Sequence, residues 1–346
     1  MSPYRRSKKL EQGDSVAVIS PSWGGPSVFP HVYENGLAIL REWGLVVKEF
    51  PTARMDAGFL RAHPEVRAKD VNDAFADPDV KAIFTSIGGD DSVRILPFLD
   101  KDLVANNPKI LVGYSDTTTL HVFLNLAGNV SVYSPSIMSG FSQMKALPDA
   151  FGAHVRKMLF DPKERLEYRP YEAYCEGYPN WSDSSTVGMV NAMKPNDGWH
   201  WIQGSGMARG ELFGGCLEVL DMMKGTDFWP TREFWNGKIL FLETSEQRPT
   251  VTHVGDVLRN YGMLGVFDQI VGLIFSRARD FSDEEKELLE KKILSVVAGE
   301  FGRADLRIVA NFDVGHTDPQ LVVPLGVSAE IDCEQKTVAL VEPWLL

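Results

Sequence analysis

The feature that most constrains this chain is an alternation of short apolar, β-type runs with amphipathic helical ones from Ser15 to about Tyr133. Ser15–Ser20 (SVAVIS) is β-branched and ends in Pro-Ser-Trp-Gly-Gly, the pattern of a strand passing into a loop. His31–Trp43 places Leu37, Leu40 and Trp43 at helical spacing, and Gly44 closes it. Leu45–Phe50 then reads as a strand, Pro64–Phe75 as a helix, Val80–Ile87 as a strand and Ser92–Leu99 as a short helix. Lys109–Tyr114 reads as a strand, Thr117–Leu126 as a helix and Val130–Tyr133 as a further strand. Strands that are apolar on both faces need cover on both, so the alternation predicts a parallel sheet between two helical layers. In such a sheet functional groups gather beyond the carboxyl ends of the strands.

The pattern fails between about Asp161 and Gly206, a stretch rich in Tyr, Trp, Asp, Ser, Pro and Gly that contains Trp181, Trp199 and Trp201. A long structureless segment is uncommon in a compact domain unless it serves a function, and its aromatic content argues against disorder. It reads as a linker with a substrate-contacting loop. Beyond it, Ala208–Phe213, Lys238–Glu243, Gln269–Ser276 and Arg307–Phe312 are strand-like, while Cys216–Lys224, Thr250–Tyr261 and Asp283–Ala298 are helical. Gln320–Val341 reads as antiparallel strands. The fold class is therefore α/β, with an N-terminal three-layer domain (1–165), a linker and loop (166–206) and a smaller mixed α/β C-terminal domain (207–346). A length of 346 residues and 44% apolar content suffice for a core in each.

A formal net charge of -12 argues against a sequence-independent nucleic-acid binder and does not favour an anionic membrane surface. A locally basic pocket stays open. No run approaches the roughly 18 apolar residues of a bilayer span. The basic N-terminus (Arg5, Arg6, Lys8, Lys9) leads into Glu11, Gln12, Gly13 and Asp14 instead of the apolar core of a secretory signal. Cys175, Cys216 and Cys333 are odd in number and widely spaced, which fits a reducing compartment and a cytoplasmic protein. No His or Cys cluster has metal-ligand spacing, so neither a metal nor another cofactor is expected.

Four segments carry possible chemistry. In KILVGYSDTTTLHVFL a strand runs into Gly113, Ser115 and then a helix, which sets a hydroxyl on a sharp turn near free helical N–H groups. Alternatively Ser115 or Asp116 is an N-cap. Thr85–Ser92 holds the pair Gly88-Gly89, able to approach a ligand closely and offer N–H groups as an oxyanion site with the amide of Asp116. An ordinary loop capped by Asp90 or Asp91, or a phosphate cradle, fits the same residues. Glu243 ends the strand KILFLE and is placed either to orient a histidine or to cap the following helix. His316, between Gly315 and Pro319 after a strand, suits a general base, although a lone histidine in a turn is often structural.

Together, GGDDS at 88–92, GYSD at 113–116, LET at 242–244 and GHTDP at 315–319 resemble the serine peptidase family of LD-carboxypeptidases and microcin C immunity proteins. The resemblance spans nearly the whole chain, from Ser20-Pro21-Ser22 to Pro324-Leu325-Gly326. It implies Ser115 as nucleophile, Glu243 as acid, His316 as base and the amides of Gly89 and Asp116 as oxyanion hole. It also implies a cytoplasmic homodimer without a metal. Gly88–Ser92, Glu243–Glu246 and the Trp-bearing loop lean toward the microcin-immunity branch, in which an aromatic residue stacks on a nucleobase. Trp181 is the candidate here, with Trp199 and Trp201 as alternatives, and Gly88 and Asp90 are expected to contact substrate. The family usually shows Gly-Gly-Asn where this chain has Gly214-Gly215-Cys216, which puts the substrate range in doubt and makes Cys216 a substrate-contact candidate. As a rival nucleophile Cys216 lacks an adjacent base. The expected activity is hydrolysis of aminoacyl-nucleotide conjugates beside an aspartyl-like group. The alternative is removal of a terminal D-amino acid from a murein tetrapeptide.

Overall fold

In the computed structural model, which describes residues 2–346, the Ser15–Tyr133 alternation forms a parallel sheet. Its strands are β1 (Ser15–Ile19), β2 (Val46–Glu49), β3 (Val80–Thr85), β4 (Ile110–Gly113) and β5 (Ser131–Tyr133). They lie in the order β2-β1-β3-β4-β5, so the winding reverses between β1 and β3. That reversal opens a crevice at the carboxyl ends, where the Ser20–Trp23 and Ile87–Asp91 loops emerge. β3, β4 and β5 are almost entirely buried, as their two-sided apolar pattern requires, whereas the edge strand β2 keeps Val46 and Lys48 exposed.

The remaining strands are β6 (Leu166–Glu167), β7 (Ala173–Glu176), β8 (Lys194–Pro195), β9 (His200–Gln203), β10 (Met207–Cys216) and β11 (Ile239–Glu243). They continue with β12 (Gly272–Ser276), β13 (Arg307–Phe312), β14 (Thr317–Asp318), β15 (Val323–Leu325), β16 (Ser328–Asp332) and β17 (Thr337–Leu340). A second sheet runs β6-β17-β16-β10-β11-β12-β13-β9, with a parallel centre and antiparallel flanks.

Three placements differ from the sequence reading. Residues 166–206 are more than a linker: β6 and β9 close the two edges of the second sheet, and β7 and β8 join β14 in a small third one. Strands of two to four residues leave no periodicity to read. Within the expected C-terminal antiparallel set, β15 crosses to the first sheet, where Val323 and Leu325 pair with Tyr133 and Ser131. The helix Asp149–Phe160 fills a stretch to which the sequence reading gave no element.

Both sheets share their packing. The helix Thr118–Leu126 is buried on nearly all sides, with Leu120, Phe123 and Leu124 in one cluster with Phe213, Leu217 and Leu220 of the second half. Val112 and Tyr133 likewise share a cluster with Phe241 and Ile274. The carboxyl ends of β3 and β4 thereby face those of β10, β11 and β13.

Candidate active site

The turn after β4 carries Ser115 at φ 61, a left-handed conformation that costs a non-glycine residue on the order of 1–3 kcal/mol. Surrounding bonds hold it there. The Ser115 amide donates to the Tyr133 hydroxyl at 3.0 Å, and the Tyr133 hydroxyl donates to Glu243 Oε1 at 2.6 Å. Asp116 does more than lend its amide: its buried carboxylate accepts from the amides of Asp91 (3.1 Å) and Ser92 (2.8 Å) and from the Ser22 hydroxyl. The two loops of the crevice are thus fixed to the Ser115 turn. Gly88 sits so close that a Cβ there would fall 2.9 Å from that of Ser115. Among the described residues, the amides of Gly89 and Asp116 donate to no protein acceptor.

From the second half, Glu243 ends β11 fully buried and His316 follows β13 in a turn. Glu243 Oε2 lies 2.7 Å from His316 Nδ1, and His316 Nε2 lies 3.0 Å from Ser115 Oγ. The approach requires Gly315, at φ 92, because a Cβ there would sit 2.5 Å from Glu243 Oε2. A second carboxylate also reaches the ring: Glu246 Oε2 is 3.0 Å from the same Nε2. Burial alone would discharge the imidazole, but Glu243 and Glu246 outweigh it and lift the ring to about 10. His121, equally buried behind the Ser115 turn with the Gly113 carbonyl as its hydrogen-bond partner among the described residues, is pushed down to about 4 by that burial. The hydrogen bond to His316 in turn holds the Glu246 carboxyl well below its usual range.

Above Ser115 lies a cavity of about 390 Å³. Gly88, Gly89, Tyr114 and His316 form its floor, and Trp23, Phe29, Tyr178 and Trp181 its aromatic wall. Trp181 stacks on Tyr178 (5.6 Å, 21°), meets Phe29 edge-on, and has its carbonyl 2.7 Å from His31 Nε2. Arg279 lines the same cavity. A smaller one of about 110 Å³ opens on the other side of Ser115, past Gly89, Asp90 and Cys216.

The structure therefore brings together Ser115, Glu243, His316, Gly88, Gly89, Asp116 and Trp181, with Asp90 and Cys216 at the smaller cavity. Asp90 faces outward to Arg61 at 2.9 Å. The Cys216 thiol is buried, its pKa pushed well up by that burial, and its amide donates to Thr118 Oγ1 at 3.0 Å. Trp199 and Trp201 belong elsewhere: the Trp199 indole donates to Asp313 and lies 4.4 Å from Phe312, and Trp201 is in register with Val309 in the second sheet. Sequence reasoning missed Tyr133, Tyr178 and Arg279 and gave Glu246 no role of its own. Only Glu246 had a local signal, three residues after Glu243.

Residues 16–134 match the model of the LD-carboxypeptidase N-terminal domain, and residues 209–331 that of the LD-carboxypeptidase C-terminal domain. The chain is 29% identical over 343 residues to the microcin C7 self-immunity protein MccF of Escherichia coli, covering 97% of this chain and 95% of that protein. It is 28% identical over 340 residues to a probable murein peptide carboxypeptidase of Bacillus subtilis, covering 96% and 93%. The structure of microcin C7 self-immunity protein MccF in complex with aspartyl sulfamoyl adenosine superposes with a TM-score of 0.87 at 27% identity, over 99% of this chain and 100% of that one.

Proposed function

The chain belongs to the LD-carboxypeptidase family and is a hydrolase of the carboxypeptidase type, and on that premise we propose that Ser115, His316 and Glu243 are its catalytic triad. The observation that carries this reading is the unbroken array from Ser115 Oγ through both ring nitrogens of His316 to Glu243 Oε2, at 3.0 and 2.7 Å. His316 Nε2 takes the Ser115 proton as Oγ attacks an acyl carbonyl. The amides of Gly89 and Asp116, free of protein acceptors, hold the oxyanion. The imidazolium then protonates the leaving nitrogen, an acyl-enzyme remains, and water activated by the same ring releases it. Glu243 fixes the ring tautomer and stabilises its positive charge, and the Tyr133 hydroxyl fixes Glu243.

The proposed substrates are aminoacyl-nucleotide conjugates, cleaved at the acyl linkage. Trp181 offers a flat face for a nucleobase, and Arg279 a cation for a phosphate-like group. The second reading, removal of the terminal D-amino acid of a murein tetrapeptide, is favoured by the Bacillus subtilis relative. Assaying the purified protein on both substrate classes, beside its Ser115→Ala variant, tests the proposal. Hydrolysis of the nucleotide conjugate that vanishes in the variant supports it. Turnover of the murein peptide alone reverses the substrate order, and activity retained in the variant removes Ser115 from the mechanism. The resemblance further implies a cytoplasmic homodimer, whose assembly sedimentation equilibrium would measure.

A further inference from the structure

Acyl transfer divides the cleft at Ser115. The leaving nitrogen takes its proton from His316 Nε2, and His316 lines the larger cavity but not the smaller one. The leaving group therefore lies in the larger cavity, against Trp181 and Arg279, and the acyl residue lies across Ser115 in the smaller one. There its side chain meets Cys216, Glu218, Val219, Met222 and Gln247.

Glu218 reaches that cavity through a close approach of the two halves. β10 ends in Gly214-Gly215-Cys216, and a Cβ on Gly215 would fall 2.6 Å from Oγ1 of Thr118, a residue just past the Ser115 turn. The same hydroxyl accepts from the Cys216 amide at 3.0 Å, so the helix Leu217–Met223 starts at a fixed place beside that turn, with Glu218 in its first turn. Glu218 Oε1 accepts from the Ser245 amide and hydroxyl at 3.0 and 2.7 Å. Oε2 has the Cys216 thiol as its donor among the described residues, at 3.4 Å, and a thiol is a weak one. The other two carboxylates of this cavity already have cationic partners: Asp90 has Arg61, and Glu246, which lines both cavities, has His316. Among the described residues no Lys, Arg or His lines the smaller cavity, which leaves Glu218 as its one uncompensated charge.

We propose that Glu218 determines specificity for the acyl residue, and that this residue carries a cationic side chain, an ammonium or a guanidinium, which pairs with Oε2. An acidic side chain in the same place, such as the aspartyl-like one that the resemblance implies, stands against a like charge. A neutral aliphatic one covers Oε2 and gives it no donor. A cationic one supplies the donor that the cavity lacks. The demand concerns the far end of the side chain, so the nitrogen beside the scissile carbonyl is acylated in a peptide substrate and free in an aminoacyl one without affecting it. The inference rests on the triad reading, which sets the side of Ser115 on which the acyl group lies. It holds for a nucleotide and for an amino acid as leaving group.

The test offers the full-length enzyme lysyl, norleucyl and glutamyl acyl residues, norleucyl being the uncharged counterpart of lysyl. Each is made both as an adenosine phosphoramidate and as an Nα-acetyl dipeptide ending in D-alanine, so the result does not depend on which leaving group the enzyme takes. In kcat/KM, lysyl should exceed norleucyl by at least about 30-fold, and norleucyl should exceed glutamyl by at least about tenfold. Glu218→Gln, whose amide oxygen keeps the bonds from Ser245, should compress the lysyl-to-norleucyl ratio to no more than about threefold. Glu218→Lys should put glutamyl first, a reversal that loss of folded protein does not produce. Wild-type ratios within about threefold, or ratios that Glu218→Gln leaves unmoved, would overturn the proposal. So would a protein whose Ser115 is labelled by a fluorophosphonate but which cleaves neither lysyl substrate. Absence of both labelling and turnover would instead remove the triad reading and this inference with it.

Discussion

The floor of the cleft and its outer wall are built on opposite terms. On the floor, Tyr133 and Glu243 are wholly buried and Ser115 and His316 are 8% and 7% exposed, joined by hydrogen bonds that cross between the two sheets. Half of the wall, Tyr178 and Trp181, comes from the segment between β7 and β8, where the residues are half-buried or exposed and one short helical turn, Ser184–Thr186, is the regular element. Trp181 is held there by ring contacts and one hydrogen bond to its carbonyl. Acyl transfer needs donors and bases fixed before the reaction begins, whereas recognition of a large ligand tolerates adjustable contacts. Changes to the floor should therefore act on kcat and changes to the wall on KM.

The sharpest break is Ser115→Ala. It should lower kcat on the order of 10⁵- to 10⁶-fold with an almost unchanged melting temperature, measured by single-turnover kinetics and calorimetry. A loss below about tenfold would mean the floor is not where the chemistry occurs. Glu243→Gln should follow at about 10⁴-fold in kcat, because the amide neither stabilises the imidazolium nor enforces its tautomer. This change also has a pH signature. His316 is raised to about 10 in the folded protein from 6.5, so its pairing contributes stability in full below about pH 6.5 and loses it as pH rises through about 10. In Glu243→Gln the decline of melting temperature across that window should flatten.

How much of this could be read from the sequence follows the same division. The first sheet was legible because β3 and β4 are apolar on both faces and bounded by glycines, a local signal. The Ser115 turn was legible for the same reason. The links that make a site of it are not local: Ser115 and His316 are 201 residues apart, and Tyr133 and Glu243 are 110. Motif order in a family resemblance supplied the first of these links, and nothing supplied the second, since Tyr133 reads only as the end of a strand. Arg279 lacks any local pattern. Short strands such as β6, whose pairing with β17 joins Leu166 to Leu340, exist only through distant partners. The three tryptophans of the long loop were equivalent by composition, and burial against Phe312 or the second sheet separates two of them from the cleft.

Tyr133→Phe tests whether the floor acts as one unit. It removes the donor to Glu243 Oε1 and the acceptor of the Ser115 amide while keeping the ring against Phe241. A buried hydrogen bond to a charge implies a stability loss of about 1–3 kcal/mol by urea unfolding. A strained turn with one tether fewer should also cost about 10- to 100-fold in kcat. An unchanged kcat with full stability loss would make Tyr133 a packing residue that merely borders the site.

On the wall the effects are smaller and fall elsewhere. Trp181→Ala removes a stacking face worth about 1–3 kcal/mol per base, so KM for a nucleotide conjugate should rise about 5- to 100-fold while kcat stays within about threefold. Trp199→Phe is the matched control. Its indole N–H serves Asp313, which is already held by Arg277 at 2.6 Å, and its ring packs on Phe312 away from the cavity. KM should move less than about twofold, with a stability loss of about 1 kcal/mol for the missing hydrogen bond. If Trp199→Phe raised KM as much as Trp181→Ala, the wall would extend to the edge of the second sheet. The distinction between a fixed floor and a locally built wall would then fail, because ligand binding would depend on the same long-range packing that fixes His316.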